Sequence, residues 1–138
     1  SVITLFARST HTDGLFIAYL EDVAPDGRVT YITEGQLRGI MRQISDQPPL
    51  YRKPGPHHSQ RRADALPLVP GEVAEISFEL WATSVLIRKG HRLRIAIAGA
   101  DADTFARYPL DGGTPTITIE RNARYPSRVV LPMSPAGR

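Results

Sequence analysis

Cysteine is absent from the 138 residues, and this absence excludes disulfides, thiolate metal sites and a cysteine nucleophile. The chain also lacks any apolar run near the ~20 residues of a membrane-spanning helix. A strong charge of one sign is missing too, because 17 basic and 14 acidic residues give a net charge of only +3, which argues against nucleic-acid binding. What remains is the composition of one globular domain. The compartment stays open, with the cytoplasm as the default expectation.

Proline and glycine separate the apolar runs of the sequence. The twelve prolines and eleven glycines lie mostly between short runs of alternating or β-branched residues. This pattern is typical of a sandwich of many short strands, so we predict an all-β fold of about eight antiparallel strands with little helix. The Asp26-Gly27 pair predicts a hairpin turn. The runs that predict strands cover residues 2–9, 15–23, 29–33, 35–44, 73–81, 85–87, 91–98, 116–120 and 127–131.

Alternation within the runs predicts which side chains face the core. Residues 35–44 are ambiguous, because their apolar residues match a helical face while Gly35 and Gly39 would each cost a helix about 1 kcal/mol; we predict strand there. The predicted core consists of Ile3, Leu5, Phe16, Ala18, Leu20, Ile76, Phe78, Leu80, Leu93, Ile95, Ile97, Ile117, Ile119, Val129 and Leu131.

Residues 45–70 form the longest predicted loop. They contain six prolines, few apolar residues and no periodicity, so the segment is expected to run over the surface. Loops of this length are often functional or mobile. His57 and His58 lie within it, and we expect a solvated pair, because a metal site would need further ligands supplied by the fold.

Four blocks of the sequence together resemble one family. Residues 13–38 carry a "DV-PDG" turn and an "EG-LR" strand, residues 70–98 carry "PGE", "LW-T" and GHRLR, and residues 116–119 precede PSRVVLP at 126–132. These blocks resemble, in order, the C-terminal domain of Xaa-Pro dipeptidyl-peptidases and of cocaine-esterase-like acyl hydrolases. The GHRLR and PSRVVLP motifs are the most specific part of the resemblance. The motif residues predicted to be structural are Trp81, Gly90, His91, Arg92, Arg94, Pro126, Ser127 and Arg128.

The resemblance implies both a fold and a function. In that family the domain is a jelly-roll, galactose-binding-like β-sandwich, and it follows an α/β-hydrolase domain that supplies the Ser-Asp-His triad. This chain is therefore expected to be a non-catalytic part of a longer serine hydrolase, with no cofactor and no metal. Its expected partner is the catalytic domain of the same parent chain, on which it would pack and whose cleft it would shape. The substrate of the parent, peptide or ester, stays open.

The loop 99–113 is the predicted contact with that catalytic domain. It has a pattern similar to a loop of the family, and a module of a larger protein should expose an apolar surface to its neighbour. The residues predicted to make this contact are Asp103, Phe105, Arg107, Tyr108 and Pro109. An alternative is a calcium site formed by Asp101, Asp103 and Asp111, although Asp and Gly are also common turn formers.

Catalysis by the chain itself is not expected. Serine hydrolases of the α/β type need a G-x-S-x-G elbow, which presents the nucleophile and the oxyanion donors, and each of the eight serines lacks this context. A triad assembled by the fold from His11, Asp13 and a serine is a disfavoured alternative. His91 is predicted to be structural, with its ring bonded to a carboxylate or to backbone at a strand end.

Two further expectations concern side chains on the predicted strands. Trp81 is predicted to be partly buried in the sandwich, the alternative being a sugar-stacking platform in a carbohydrate-binding module. Arg92 and Arg94 project from one face of their strand, where they could pair with carboxylates at Glu75, Glu79 or Asp22.

The first residues of the chain predict self-association. The chain begins with Ser1 inside a predicted strand, later than the family pattern begins, and one or two preceding strands would then be missing. A neighbouring strand would keep unpaired backbone groups, so a homodimer through an exposed strand edge is expected.

Overall fold

Seven strands in two antiparallel sheets make up the fold in the computed structural model, which describes residues 1–47, 49–110 and 112–134. This confirms the all-β sandwich, with seven strands in the described ranges where about eight were predicted. The short 3₁₀ turns are Gly39–Met41 and Arg62–Asp64, and no helix in those ranges is long and apolar enough to cross a bilayer. The strands are β1 (Val2–Ser9), β2 (Leu15–Val23), β3 (Val29–Arg38), β4 (Ala74–Glu79), β5 (Arg92–Ala98), β6 (Ile117–Glu120) and β7 (Arg128–Val130).

The strand β1 organises the first sheet. On one side it pairs with β4 along almost its whole length, and on the other side it pairs with β7 at its start and β6 at its end. The second sheet has the order β3-β2-β5. The hairpin between β2 and β3 turns at Asp26-Gly27 as predicted, with the amide of Ala24 donating to the carbonyl of Arg28 at 2.9 Å.

Two predicted strands differ from the structure. Residues 85–87 are not a strand but part of an extended stretch in which Val85 and Leu86 are exposed, because an apolar run becomes a strand only where a neighbour can pair with it. The ambiguous residues 35–44 divide at Arg38: β3 ends there, and the 3₁₀ turn Gly39–Met41 follows.

The core lies between the two sheets, with β1 and β4 of the first sheet facing β2 and β3 of the second. Most of the predicted core residues are buried there, and Phe16, Ile3 and Ile76 are at most 1% exposed. The prediction is wrong for Leu93 and Ile97, which are 40% and 38% exposed. Other predicted core residues are only partly buried against the cluster: Ile95, Ile117, Ile119, Val129 and Leu131.

The two sheets meet closely at the edge formed by β3 and β4. A Cβ atom at Gly35 would lie 2.0 Å from the carbonyl oxygen of Glu79, so only glycine permits this approach. Nearby, the amide of Trp81 donates to the carbonyl of Glu34 at 2.8 Å and joins the sheets directly. This edge of the sandwich is closed by backbone contacts.

The loop 45–70 is more firmly packed than its composition predicts. His58 is buried, and its ring nitrogens lie 3.0 Å from the carbonyl oxygen of Gln43 and 2.8 Å from that of Ser77. Leu68 enters the core cluster and is 4% exposed. The expected solvated histidine pair is therefore wrong for His58, because backbone carbonyls of the sandwich offer its ring two hydrogen-bond partners.

Candidate functional site

The loop that follows β5 is held in shape by Asp101. Its carboxylate accepts a hydrogen bond from the Tyr19 hydroxyl at 2.7 Å and another from the amide of Asp103 at 3.2 Å. The carbonyl of Asp101 accepts a hydrogen bond from the amide of Phe105 at 3.0 Å, which closes a turn. The first half of the loop is therefore fixed by hydrogen bonds to Asp101.

The second half of the loop is held by Arg38. The ring of Tyr108 lies under the Arg38 guanidinium, 3.9 Å from its carbon to the ring centroid, a cation–π contact worth about 0.5–1 kcal/mol where exposed. Arg38 is itself fixed by an ion pair with Asp13, at 2.5 Å between Nη2 and Oδ2. The other oxygen of Asp13, which is buried, accepts hydrogen bonds from the amides of Gly14 at 2.8 Å and Ile40 at 3.1 Å.

The five residues predicted to contact another domain lie in this one loop, and they differ in exposure. Asp103 and Arg107 are exposed, and the others, Phe105, Tyr108 and Pro109, are half-buried. Leu110, which was not predicted, is 72% exposed. A shallow cavity of about 320 Å³ lies beside Arg107 and Tyr108. The loop therefore exposes the acidic Asp103, the basic Arg107 and the apolar Leu110 near a cavity, and contacts with Tyr19 and Arg38 hold it in place.

Tyr19 and Asp101 shift each other's titration. Burial, with a smaller effect of the hydrogen bond to Asp101, raises the pKa of Tyr19 to about 12. The hydrogen bond from Tyr19 lowers the pKa of Asp101 below its usual value. The folded state therefore favours the neutral phenol next to the ionised carboxylate.

This pair predicts a loss of stability at alkaline pH. An unfolded tyrosine ionises near pH 10 while Tyr19 keeps its proton up to about pH 12, so the free energy of unfolding should fall as the pH rises through that interval. Urea unfolding followed by circular dichroism between pH 9 and 12 measures the slope. Tyr19→Phe should reduce the slope of the unfolding free energy against pH, and Asp101→Asn should reduce this slope by less. Equal slopes in the wild type and Tyr19→Phe would contradict this account.

The GHRLR segment forms a turn and a strand whose polar groups pair within the second sheet. Gly90 has a φ of +87°, which favours glycine, and the amide of the next residue closes the turn. The His91 Nδ1 lies 2.9 Å from both carboxylate oxygens of Asp22, the kind of carboxylate contact expected of a structural histidine. Arg94 pairs with Glu21 at 2.5 Å, and not with the predicted acids. Glu75 and Glu79 lie on β4 in the other sheet.

The PSR segment ties three strands together through Ser127. Its hydroxyl accepts a hydrogen bond from the amide of Phe6 at 2.9 Å and donates to the carbonyl of Glu120 at 2.6 Å. Pro126 forms an isolated bridge with Arg121, and Arg128 begins β7 opposite Thr4 of β1. The hydroxyl therefore joins the turn between β6 and β7 to β1, as a structural group.

Most of the predicted motif residues lie at the surface, Trp81 and Arg92 among them. Trp81 is 56% exposed, so the prediction of a partly buried ring is wrong. Its backbone is fixed, since its carbonyl accepts a hydrogen bond from the Thr33 hydroxyl at 2.9 Å, but the chain leaves β4 at this point and the ring projects outward. Arg92 is exposed opposite Val23.

The groups weighed for catalysis or metal binding are engaged elsewhere. His11 Nδ1 bonds the Thr10 hydroxyl at 2.9 Å, and Asp13 binds Arg38 and two amides, so these residues do not assemble into a triad. Asp101 is occupied by Tyr19 and the loop backbone, and Asp111 lies outside the described residues. Within 1–47, 49–110 and 112–134, no cluster of three or more histidine, aspartate and glutamate side chains is arranged to hold a metal ion.

The described part of the chain is a two-sheet β-sandwich, and the groups weighed for catalysis are engaged in structural contacts. Residues 1–130 match the X-Pro dipeptidyl-peptidase C-terminal non-catalytic domain, and the chain belongs to this family. It is 54% identical over 132 residues to a protein named "Putative serine esterase" from Mycobacterium bovis. It is 27% identical over 140 residues to the cocaine esterase of a Rhodococcus species.

Coverage shows how these proteins relate to the chain. The matches cover 96% of this chain for the Mycobacterium protein and 94% for the cocaine esterase, but only 21% of either relative. A "Putative Xaa-Pro dipeptidyl-peptidase" of Streptomyces avermitilis is 39% identical over 77 residues, which cover 56% of this chain and 10% of that protein. The chain therefore spans about a fifth of the length of the two relatives that it matches from end to end.

Proposed function

We propose that these 138 residues are the single C-terminal accessory domain of a serine hydrolase of the α/β type, acting on acyl esters or on Xaa-Pro peptides. The domain packs against the catalytic domain of the same parent chain and shapes its cleft. The rigid loop 101–110 carries the proposal, because it presents exposed Asp103, Arg107 and Leu110 on a support held by Asp101 and Arg38.

Internal hydrogen bonds and the contact between Arg38 and Tyr108 preorganise the loop for docking. A loop that is already fixed by internal hydrogen bonds loses little conformational entropy when a partner docks, so its exposed side chains can contribute directly to affinity. Arginine and apolar side chains are typical of such contacts, and the cavity beside Arg107 can accept a side chain from the partner. The family and the relatives support a catalytic partner within the same chain.

The double variant Arg107→Glu/Leu110→Asp in the full-length hydrolase tests the docking role. It reverses one charge and adds another on exposed positions, so we expect kcat/KM to fall about tenfold, equivalent to about 1.4 kcal/mol. Differential scanning calorimetry should also show the two domains unfolding less cooperatively.

The matched control is Arg28→Glu. Arg28 is also an exposed arginine; it lies in the β2–β3 hairpin, at the end of the second sheet opposite the 99–110 loop, and kcat/KM should be unchanged. The double variant in the 138-residue chain should unfold like the wild type. Unaltered activity and unaltered domain coupling in the double variant would refute the docking role.

The exposed Trp81 favours one alternative, a carbohydrate-binding module. Titration with a panel of saccharides, with and without Ca²⁺, separates the two functions. Saccharide binding that is lost in Trp81→Ala would replace the accessory role by this one.

We also propose that the isolated domain forms a homodimer through the outer edge of β5, where its backbone has no neighbour among the described strands. Sedimentation velocity should show a mass that rises with concentration, and a strict monomer at high concentration would argue against this dimer.

A further inference from the structure

The sandwich is open along the edge opposite the close contact at Gly35. Ile95 and Ile97 of β5 pair in register with Leu20 and Ala18 of β2, so all four side chains share the inward face of the sheet. Leu20 and Ala18 are 5% and 0% exposed, whereas Ile97 is 38% exposed. The inward face of the second sheet is therefore buried at β2 and exposed at the neighbouring strand β5.

The first sheet shows the same step in burial. Val129 of β7 and Ile119 of β6 pair in register with Ile3 and Ala7 of β1, which are 1% and 2% exposed. Val129 and Ile119 are only partly buried. Both sheets thus end in apolar side chains that face each other with little between them.

A largely apolar groove separates these two edges; we call it the β5 groove. Its central part is a cavity of about 420 Å³, lined mainly by Ile3, Leu5, Ile95, Ile97, Ile119 and Val129. A second cavity shares Ile97 and Ile119 with it and reaches Ile117, and a separate cavity near the start of β5 is lined by Leu93 and Leu131. The groove follows the seven residues of β5, a length of roughly 23 Å.

The backbone beside the groove is also incomplete. Among the described strands β5 pairs only with β2, so every second N–H and C=O of β5 points outward without a strand partner. A lipid or another small apolar ligand could fill the groove but would leave these groups unpaired. An extended peptide with apolar residues at alternate positions would satisfy the backbone and fill the groove together.

We infer that, in the full-length protein, a β-strand from the part of the parent chain outside these 138 residues pairs with β5 and closes the β5 groove. The inference rests on the proposed function, in which the domain is one part of a longer hydrolase. The length of the relatives supports it, since about four-fifths of each lies outside the matched region and could supply the strand. A strand of the same chain is present at high effective concentration, whereas a second copy is not.

Photo-crosslinking in the full-length protein identifies the occupant. A benzophenone amino acid at position 97 points into the groove, and the matched control at Ala96 points to the other face of the same strand. We expect position 97, but not position 96, to form an intramolecular cross-link to an extended segment outside the 138 residues. A cross-link between two protein molecules would overturn the inference in favour of a dimer, and so would a cross-link pattern that is the same at both positions.

Hydrogen exchange on the same protein gives a second, independent readout. Peptides covering β5 should be protected to within tenfold of peptides covering the central strand β2. Exchange of about half of the β5 amides at unfolded rates would show a free edge and refute the inference. Ester and Xaa-Pro peptide hydrolysis is measured in parallel: activity with an unprotected β5 leaves the proposed function standing, whereas absence of hydrolysis removes the proposed function whatever the state of β5.

Discussion

Replacing Gly35 by alanine is expected to lower the free energy of unfolding by about 3 kcal/mol, at the upper end of the usual penalty for overpacking. The added Cβ would lie 2.0 Å from the carbonyl oxygen of Glu79 and 3.0 Å from the Cα of Leu80. Both are backbone atoms, so no change of rotamer can relieve the contact and the two sheets must move apart. Urea unfolding followed by circular dichroism measures the loss.

The matched control is Gly99→Ala at the open end of the sandwich. A Cβ there would lie 3.6 Å from a side-chain carbon of Ile117, an ordinary contact, so the free energy of unfolding should change by less than about 1 kcal/mol. Equal stability of the Gly35→Ala variant and the wild type would show that the sheets are not in backbone contact at this edge.

The second large effect is expected at Asp13. Asp13→Ala should cost about 3 kcal/mol, because it leaves Arg38 without its carboxylate and two amides, those of Gly14 and Ile40, without an acceptor. Asp13→Asn keeps an oxygen for the amides and loses only the charge, so it should cost clearly less. The same urea experiment measures both.

The Asp13 variants should also loosen the 99–110 loop, because Arg38 holds Tyr108 through its guanidinium. Near-ultraviolet circular dichroism and limited proteolysis within the loop report this second effect. Asp26→Ala in the exposed β2–β3 hairpin is the control, since it removes a carboxylate that only accepts a turn amide, at 3.0 Å. An Asp13→Ala protein as stable as Asp26→Ala would show that the ion pair contributes nothing to the fold.

Much of the fold could be predicted from alternation. The runs in 15–23 and 91–98 predict strands, which β2 and β5 confirm, and the alternation in 91–98 predicts that Leu93, Ile95 and Ile97 share one inward face. Alternation does not show whether anything lies opposite that face. This is why Leu93 and Ile97 were placed in the core and are exposed: their orientation is set by the strand, but their burial depends on the neighbouring strand across the sandwich.

Only part of the candidate site could be predicted from the sequence. Family resemblance places the predicted contact residues in one loop, but the groups that hold this loop lie far away in sequence. Tyr19 and Arg38 belong to β2 and β3, and their contacts with Asp101 and Tyr108 form only once the second sheet is assembled. His58 shows the same limit, because no local pattern indicates which backbone carbonyls will surround its ring.

The pairing of β1 has a consequence for the order of folding. Its partners are β4, β6 and β7, and Ile3 meets Val129, roughly 120 residues later in the chain, whereas the β2–β3 hairpin is closed by a short local turn. Loop-closure entropy makes the distant pairing about 3 kcal/mol more costly than the hairpin. During synthesis the hairpin can therefore form early, while the apolar strand β1 is made before its partners and must wait for β7 before its sheet is complete.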